Sequence, residues 1–171
     1  MGQCIYYKLK RASLDNVPSQ VSPQGICKVI KVYDADTCTC AIYSSTKIVR
    51  VPIRLIGIDA PELKRQKKNP LSLLEKKAAM RSRAKLLSLV TTKEVPLDFT
   101  GKSDFLCQIS RKLLRLESKG YDKYGRVLGR LYDGDICLND VLLEKKWVRM
   151  YDGKTRKNWS KKDLNNILKL V

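Results

Sequence analysis

The stretch from Ile26 to Asp59, ICKVIKVYDADTCTCAIYSSTKIVRVPIRLIGID, most constrains the fold, because it is rich in β-branched residues and is divided by two turn signals. Segments of this kind, bounded by Asp- and Ser-containing turns, are typical of consecutive β-strands. The signals Asp-Ala-Asp and Ser-Ser-Thr-Lys divide the stretch into predicted strands at about 26–33, 37–43 and 47–57, and the last two should form a hairpin.

A helix is predicted after these strands. The Asn69-Pro70 pair is a start signal, and Ser72 and Glu75 have the spacing of a capping box, in which two side chains satisfy free backbone amides at a helix start. The helix should end near Val90. The segment that contains this helix is basic, since residues 64–93 include ten Lys or Arg and one acidic residue.

The second half of the chain is less regular. Both KEVPLDF and RKLLRLES, within residues 91–120, are compatible with strands, and GYDKYGRVLGRLYDGD indicates a turn followed by a strand. Short helices are predicted from Asn139, burying Trp147, and after a cap at Ser160. This order of elements suits a small closed barrel, with the OB-fold as the leading example. The predicted class is α+β, mainly β: a five-stranded OB-fold barrel with about three helices.

Length and composition indicate one domain. A chain of 171 residues is long enough for one core and short for two. Residues 1–24 mix basic residues with Ser, Pro and Gln, which is typical of an extended basic arm or linker. The predicted domain therefore spans residues 25–171.

Charge and residue usage narrow the function. The chain has 35 Lys and Arg against 17 Asp and Glu, a formal charge of +18, which favours a polyanionic partner such as DNA or RNA, with an anionic membrane as the lesser option. It has no histidine, which excludes Ser-His and Cys-His nucleophiles and zinc sites that contain histidine. Catalysis would have to use carboxylates, Arg, Lys, Tyr or a metal held by oxygen atoms.

The cysteines and the first residues bear on location. No Cys-x-x-Cys pair occurs, and Cys38 and Cys40 would share one strand face, so ordinary packing in a reducing compartment is favoured. With no apolar run of membrane-spanning length, the expected location is intracellular, either cytoplasmic or nuclear. Gly2 and Cys4 could carry acyl groups that tether the chain to a membrane surface, although Tyr6 stands where the myristoylation pattern prefers Ser or Thr. A plain basic arm is the alternative.

Charged residues occur in three separate stretches where a strand or turn does not need them. These are DADT at residues 34–37, IRLIGIDAPE at residues 53–62 and DKYGR at residues 122–126. Each alone is compatible with an ordinary turn. Together and in this order they closely resemble the staphylococcal nuclease (thermonuclease) family, whose motifs are an aspartate-x-aspartate-threonine turn, an R-L-x-G-I-D-x-P-E strand end and a D-x-Y-G-R turn. The resemblance covers about residues 26–159.

The resemblance implies a binding site for one Ca²⁺ ion. Asp36 and Asp59 match the two carboxylate ligands, and the backbone carbonyl of Ala60 matches the third protein ligand. Asp34 matches an acidic position that supports the site from outside the direct ligands. Oxygen-only ligands of this kind are what Ca²⁺ prefers.

The resemblance also implies the catalytic and substrate-binding residues. Glu62 matches the proposed general base, and Arg54 and Arg126 match two arginines that clamp the scissile phosphate. Guanidinium groups suit that role, because they bind phosphate oxygens by paired hydrogen bonds while negative charge develops there. The remaining matches, to residues that contact a bound nucleotide, are Lys123, Tyr124 and Tyr151.

Two departures from the family pattern stand out. Ala60 replaces a threonine of the best-studied members, which removes a hydroxyl but keeps the backbone carbonyl. Residues 91–110 resemble an insertion relative to compact members, one that reshapes the cleft or extends the sheet.

The function implied is a Ca²⁺-dependent endonuclease. It would hydrolyse phosphodiester bonds of DNA and RNA, preferring single strands and leaving 3′-phosphate ends, with no obligate protein partner. The alternative is a non-catalytic nucleic-acid-binding OB-fold module. Three carboxylates in a cleft meant for polyanions favour the enzyme, because without a cation they would repel the ligand.

Overall fold

The computed structural model describes residues 23–44, 47–64 and 69–171. Its strands are β1 (Gly25–Asp34), β2 (Thr37–Ser44), β3 (Lys47–Leu55), β4 (Ile58–Asp59), β5 (Leu114–Tyr121), β6 (Val127–Asp133), β7 (Ile136–Cys137) and β8 (Arg149–Met150). Its helices are α1 (Ser72–Val90), α2 (Ser103–Ile109), α3 (Leu138–Glu144) and α4 (Lys161–Lys169). None of the helices in the described ranges is long and apolar enough to cross a membrane.

Five strands close into a barrel. Strands β1, β2 and β3 form an antiparallel meander, β5 pairs with β1, and β6 pairs antiparallel with β5. The barrel closes where β6 also pairs with β3 in parallel, through Ile53↔Val127 and Leu55↔Gly129. Gly129 also packs closely on β5, because a Cβ there would lie 2.7 Å from Leu116 Cδ1 and 3.0 Å from the Glu117 carbonyl oxygen. The predicted five-stranded, mainly β OB-type barrel is confirmed.

Alternating side chains of the meander fill the barrel. In β2 the inward residues are Cys38, Cys40 and Ile42, so the two cysteines share a buried face as predicted. In β1 the inward side alternates until a register shift between Val29 and Lys31, which moves the next inward position to Val32. A β-bulge of this kind adds local twist and re-aims the strand, and it leads into the turn that carries Asp34.

The helices cover the barrel on the outside. Helix α1 packs against β1 and α4, and α2 packs against β1. Leu142 in α3 and Trp147 just after it are buried, and the burial of Trp147 was predicted. The predicted cap of the last helix is confirmed, since the Ser160 hydroxyl accepts a hydrogen bond from the Asp163 amide.

Two local predictions are wrong. The KEVPLDF segment is not a strand; residues 91–110 form irregular backbone followed by α2, a helix that the sequence did not predict. The capping box is also not formed, because Leu71 is the N-cap and no side chain caps the helix. The Asn69 side chain instead accepts from the Leu71 amide, and Glu75 has other partners.

The basic arm falls mostly on residues 1–22, outside the described residues. The predictions for Gly2, Cys4 and Tyr6 therefore also lie outside that part of the chain. Among the described residues, Cys27, Cys38, Cys40 and Cys107 are buried free thiols, and Cys137 is partly buried.

Candidate active site

A cleft of about 940 Å³ brings most of the predicted site residues together. It lies where the β1–β2 turn, the end of β3, β4, the β5–β6 turn and the segment after β8 converge. Nine of the predicted residues line it: Asp34, Asp36, Arg54, Asp59, Glu62, Lys123, Tyr124, Arg126 and Tyr151. The tenth, Ala60, is buried directly beside it and reaches it through backbone atoms.

The β1–β2 turn holds Asp36 against β3. Its Oδ1 accepts from the Thr37 hydroxyl at 2.9 Å, and its Oδ2 accepts from the Ala60 amide at 2.6 Å. The same Oδ2 lies 2.9 Å from Arg54 Nη1. Burial raises the pKa of Asp36, while the Arg54 guanidinium and the Ala60 amide oppose that rise. The turn therefore also places the Asp36 carboxylate in the site.

Asp34 lines the cleft beside these groups. Burial raises its pKa to about 6, and the negative charges of Asp36 and Glu62 add to the rise, against a hydrogen bond from the Leu63 amide and the positive charge of Arg156. A carboxyl group with this pKa carries its proton part of the time near neutral pH.

Asp59 is the most enclosed carboxylate of the cleft, 1% exposed. Arg149, opposite it in the β4–β8 pair, donates to Oδ2 from Nε at 3.0 Å and from Nη2 at 2.7 Å. Oδ1 lies 2.8 Å from Arg156 Nε and 3.8 Å from Arg54 Nη2. None of these groups gives Oδ1 a well-directed hydrogen bond among the described residues.

The carboxylate and carbonyl oxygens of the cleft suit a hard divalent cation. A buried carboxylate oxygen that lacks a directed hydrogen bond is an atom that a cation satisfies well. No group of three or more Asp, Glu or Cys side chains among the described residues converges closely enough to hold a metal. An ion held by described residues would therefore have fewer than three carboxylate or thiolate ligands, and backbone carbonyls and water would have to complete its coordination.

Glu62 is fixed from two sides. Its backbone amide donates to Glu75 Oε1 at 3.1 Å, and its carboxylate pairs with Arg156 Nη1. Glu75 is 4% exposed, and its second oxygen accepts from the Asn69 side chain at 2.9 Å. Helix α1 thus positions the loop that carries Glu62, through the residue that the sequence assigned to a helix cap.

The β5–β6 turn presents Arg126. Asp122 Oδ1 accepts from the amides of Tyr124, at 2.8 Å, and Arg126, at 2.9 Å, and its Oδ2 accepts from Arg126 Nε at 2.7 Å. Burial alone would raise the pKa of Asp122, but these hydrogen bonds hold it below its usual value. The Tyr124 ring is 73% exposed, with Lys123 Nζ at 5.1 Å and Arg126 Cζ at 5.6 Å from its centre. The turn offers two cations and one aromatic face to the cleft.

Tyr151 closes the other side of the cleft. Its amide donates to the Gly57 carbonyl at 3.0 Å, and its hydroxyl donates to the Lys154 carbonyl at 2.6 Å. The Arg54 guanidinium lies 5.8 Å from its ring centre.

Sequence reasoning missed several residues of the site, chiefly Arg149, Arg156, Asp122 and Glu75. Arg149 and Arg156 reach carboxylates 90 and 94 residues away in the chain. No local pattern points to such pairs. Asp122 could have been identified, because it is the first residue of the DKYGR motif, but by itself it resembles an ordinary turn residue.

Residues 52–169 match the model of the family described as staphylococcal nuclease homologue. The chain belongs to this family. No curated protein matches the sequence. The match covers more than half of the chain and includes every predicted site residue from Arg54 to Tyr151, while Asp34 and Asp36 precede it. Membership in the staphylococcal nuclease homologue family indicates a nuclease-like or nucleic-acid-binding function.

Proposed function

We propose that the protein is a metal-dependent nuclease that hydrolyses phosphodiester bonds of DNA and RNA, with a preference for single strands. The observation that carries this proposal is the convergence of Asp36, Arg54, Asp59, Glu62 and Arg126 on one cleft. These residues come from four separate segments, and their side-chain chemistry matches what phosphodiester hydrolysis needs.

The metal is proposed to be one Ca²⁺ ion, held by Asp36, Asp59 and the Ala60 carbonyl. Asp34 would support the site as a nearby acidic group. When bound, such an ion supplies Lewis-acid polarisation of the phosphate.

The chain's own residues supply the remaining steps. Glu62 orients the attacking water and accepts its proton, since it is the cleft carboxylate outside the proposed ligand set that lies beside Asp59 and Ala60. Arg54 and Arg126 bind the phosphate oxygens and stabilise the charge that develops on them. Attack by water would break the bond between phosphorus and the 5′ oxygen, leaving a 3′-phosphate end and a 5′-hydroxyl end, with the 5′ oxygen taking a proton from solvent.

The β5–β6 turn and Tyr151 are proposed to hold the substrate. Lys123 and Tyr124 would contact a phosphate, and Tyr151 would pack against a base. Stacking on an aromatic ring tolerates any base, which fits an enzyme with weak sequence preference.

The competing function is a non-catalytic nucleic-acid-binding module. The observation that favours it is the ion pair between Arg156 and Glu62, which engages the proposed base.

Digestion of single-stranded DNA and RNA by the purified protein tests both functions. The reactions would contain Ca²⁺, Mg²⁺ or a chelator, and the products would be mapped for 3′-phosphate ends. Ca²⁺-dependent cleavage is expected. Tight binding without cleavage under every metal condition would instead establish the binding module.

Location is proposed separately. We expect an intracellular protein, cytoplasmic or nuclear, with a membrane tether only if Gly2 or Cys4 is acylated. Cell fractionation of the wild type beside Gly2→Ala tests the tether: loss of a membrane-bound fraction in the variant would establish it, and identical distributions would exclude acylation at Gly2.

A further inference from the structure

One arginine of the cleft, Arg156, binds the atoms that the proposed cation and attacking water need. Its Nε lies 2.8 Å from Asp59 Oδ1, and its Nη2 donates to the Ala60 carbonyl at 2.7 Å. Its Nη1 pairs with the Glu62 carboxylate. A single guanidinium therefore spans the acidic stretch from Asp59 to Glu62.

Arg149 also binds the Asp59 carboxylate, but its other contacts connect two parts of the fold. It donates to Asp59 Oδ2 and to the carbonyls of Asn158 and Lys157, and its guanidinium stacks 4.2 Å from the centre of the Trp159 ring. These contacts tie β8 to the backbone before α4. Moving Arg149 would break that connection.

Arg156 has no comparable set of contacts elsewhere. The hydrogen bonds and ion pairs found for it among the described residues all go to Asp59, Ala60 and Glu62. It lies in the irregular segment between β8 and α4, and its side chain is 36% exposed at the cleft wall. The side chain can therefore leave these oxygens for the cleft while the fold stays in place.

A guanidinium and a divalent cation cannot share these oxygens at low cost. Two like charges a few ångströms apart repel by several kcal/mol even at the effective dielectric of a protein surface, about 20. A cation that binds Asp59 and the Ala60 carbonyl must therefore displace Arg156, and Glu62 then loses its ion-pair partner and becomes available to water.

We propose that Arg156 is a built-in competitor of the divalent cation: it occupies the Asp59 and Glu62 carboxylates and the Ala60 carbonyl until metal and substrate arrive. This inference rests on the proposed nuclease function. The displaced guanidinium stays in the cleft, where a substrate phosphate is its natural partner. Metal and phosphate binding then reinforce each other, because the phosphate accepts the arginine that the metal must displace.

Calorimetric titration of the purified full chain with Ca²⁺ tests this directly, without an activity readout. The variants are Arg156→Gln and, as the matched control, Lys154→Gln. Lys154 lies in the same segment, lines the same cleft and carries the same charge, but its hydrogen bonds are made by its backbone. Arg156→Gln is expected to bind Ca²⁺ at least roughly ten-fold more tightly than the wild type, and Lys154→Gln within about three-fold of it.

A second titration, in the presence of thymidine 5′-monophosphate, tests the coupling. The nucleotide is expected to tighten Ca²⁺ binding more in the wild type than in Arg156→Gln. Thermal unfolding in chelator checks that each variant folds. If Arg156→Gln does not fold, Arg156→Lys, which keeps the charge but not the planar guanidinium, takes its place in the titrations. Arg156→Lys is expected to bind Ca²⁺ more tightly than the wild type and Lys154→Gln, and less tightly than Arg156→Gln.

The outcomes separate this inference from the proposed function. If Arg156→Gln binds Ca²⁺ no more tightly than Lys154→Gln while the wild type binds Ca²⁺ and cleaves, the competition is refuted and the nuclease stands. If neither the wild type nor Arg156→Gln binds Ca²⁺ or another divalent cation, the metal site and the competition both fail.

Discussion

The Arg126 guanidinium is held in the cleft by two neighbours, the Asp122 carboxylate and the Tyr124 ring. Nε is occupied by Asp122, and no hydrogen bond from the Nη atoms is found among the described residues. An arginine positioned in this way stabilises developing charge without reorganising during the reaction.

Replacement of Arg126 by Ala is expected to lower kcat by roughly 10²–10³-fold and to leave the fold intact, because it removes donors that act on the reacting phosphate. Arg115→Ala is the control, since that arginine lies on β5, stacks on Tyr132 of β6 and is not among the described residues that line the cleft. Steady-state hydrolysis of single-stranded DNA and thermal unfolding measure the two effects. Wild-type turnover in Arg126→Ala would remove the residue from the mechanism.

Asp34 gives a prediction about pH. Its pKa is raised from 3.8 to about 6, chiefly by burial. The folded chain thus holds this proton more tightly than the unfolded chain, so the unfolding free energy falls as pH rises through this range. In chelator, Asp34→Asn should be more stable than the wild type at pH 7, and the difference should vanish as pH falls toward 3.8.

Urea unfolding across that pH range measures the difference. Asp135→Asn, in the exposed turn between β6 and β7, controls for the loss of an acidic side chain. A wild type that is more stable than Asp34→Asn at pH 7 would show that its carboxylate is stabilised in the fold, contrary to this argument.

Among the elements, helix α1 has a role beyond covering the barrel. The buried Glu75 carboxylate accepts hydrogen bonds from the Glu62 amide and the Asn69 side chain, and so joins the helix to both ends of the loop that carries Glu62. Glu75 is not among the described residues that line the cleft, so under the proposed function it would be a positioning residue that acts through Glu62.

Glu75→Gln keeps the shape but turns one acceptor into a donor, which leaves one partner without a hydrogen bond. We expect a loss of about 1–3 kcal/mol in unfolding free energy. We also expect kcat to fall with little change in KM, because Glu62 is displaced while the phosphate-binding arginines are not. Glu144→Gln, exposed at the end of α3, is the control. A loss of stability with unchanged kcat would make Glu75 a purely structural residue.

The elements that local pattern specifies were predictable. Strands β1 to β3 follow from β-branched residues between turn signals, and α4 follows from Ser160 and the spacing of Leu164 and Ile167. The predicted capping box does not form, because the Glu75 carboxylate binds Glu62 and Asn69 in the preceding loop. The spacing of Ser72 and Glu75 alone gives no information about those partners. The sequence did not predict helix α2 for a related reason. Its first residue, Ser103, forms hydrogen bonds through its hydroxyl with the backbone of Val32, which lies 71 residues earlier in the chain.

The same distinction applies to the site. Eight of the nine predicted residues that line the cleft belong to the three local motifs, and the barrel brings those motifs together; the ninth, Tyr151, lies outside them. Arg149 and Arg156 lie in a stretch whose sequence looks like an ordinary basic loop. Their partners are set by tertiary structure, which is why charge content alone could not identify them.

At the scale of the whole molecule, the positive residues behind the formal charge of +18 lie both inside and outside the cleft. Lys123 lies in the cleft, whereas Lys76 and Lys77 are exposed on α1 and are not among the described residues that line it. Binding to a polyanion releases counterions for each phosphate contact, so the salt dependence of binding counts the lysines that engage the strand.

Single-stranded DNA binding in chelator, measured by fluorescence anisotropy across a range of salt concentrations, should distinguish these two surfaces. Lys123→Gln is expected to make the plot of log K against log salt shallower by about 0.7, the value for one phosphate contact on a single strand. The double variant of Lys76 and Lys77 to Gln removes more charge but should leave the slope close to that of the wild type. If that double variant lowers the slope and Lys123→Gln does not, the strand lies along α1, and the cleft is not where nucleic acid binds.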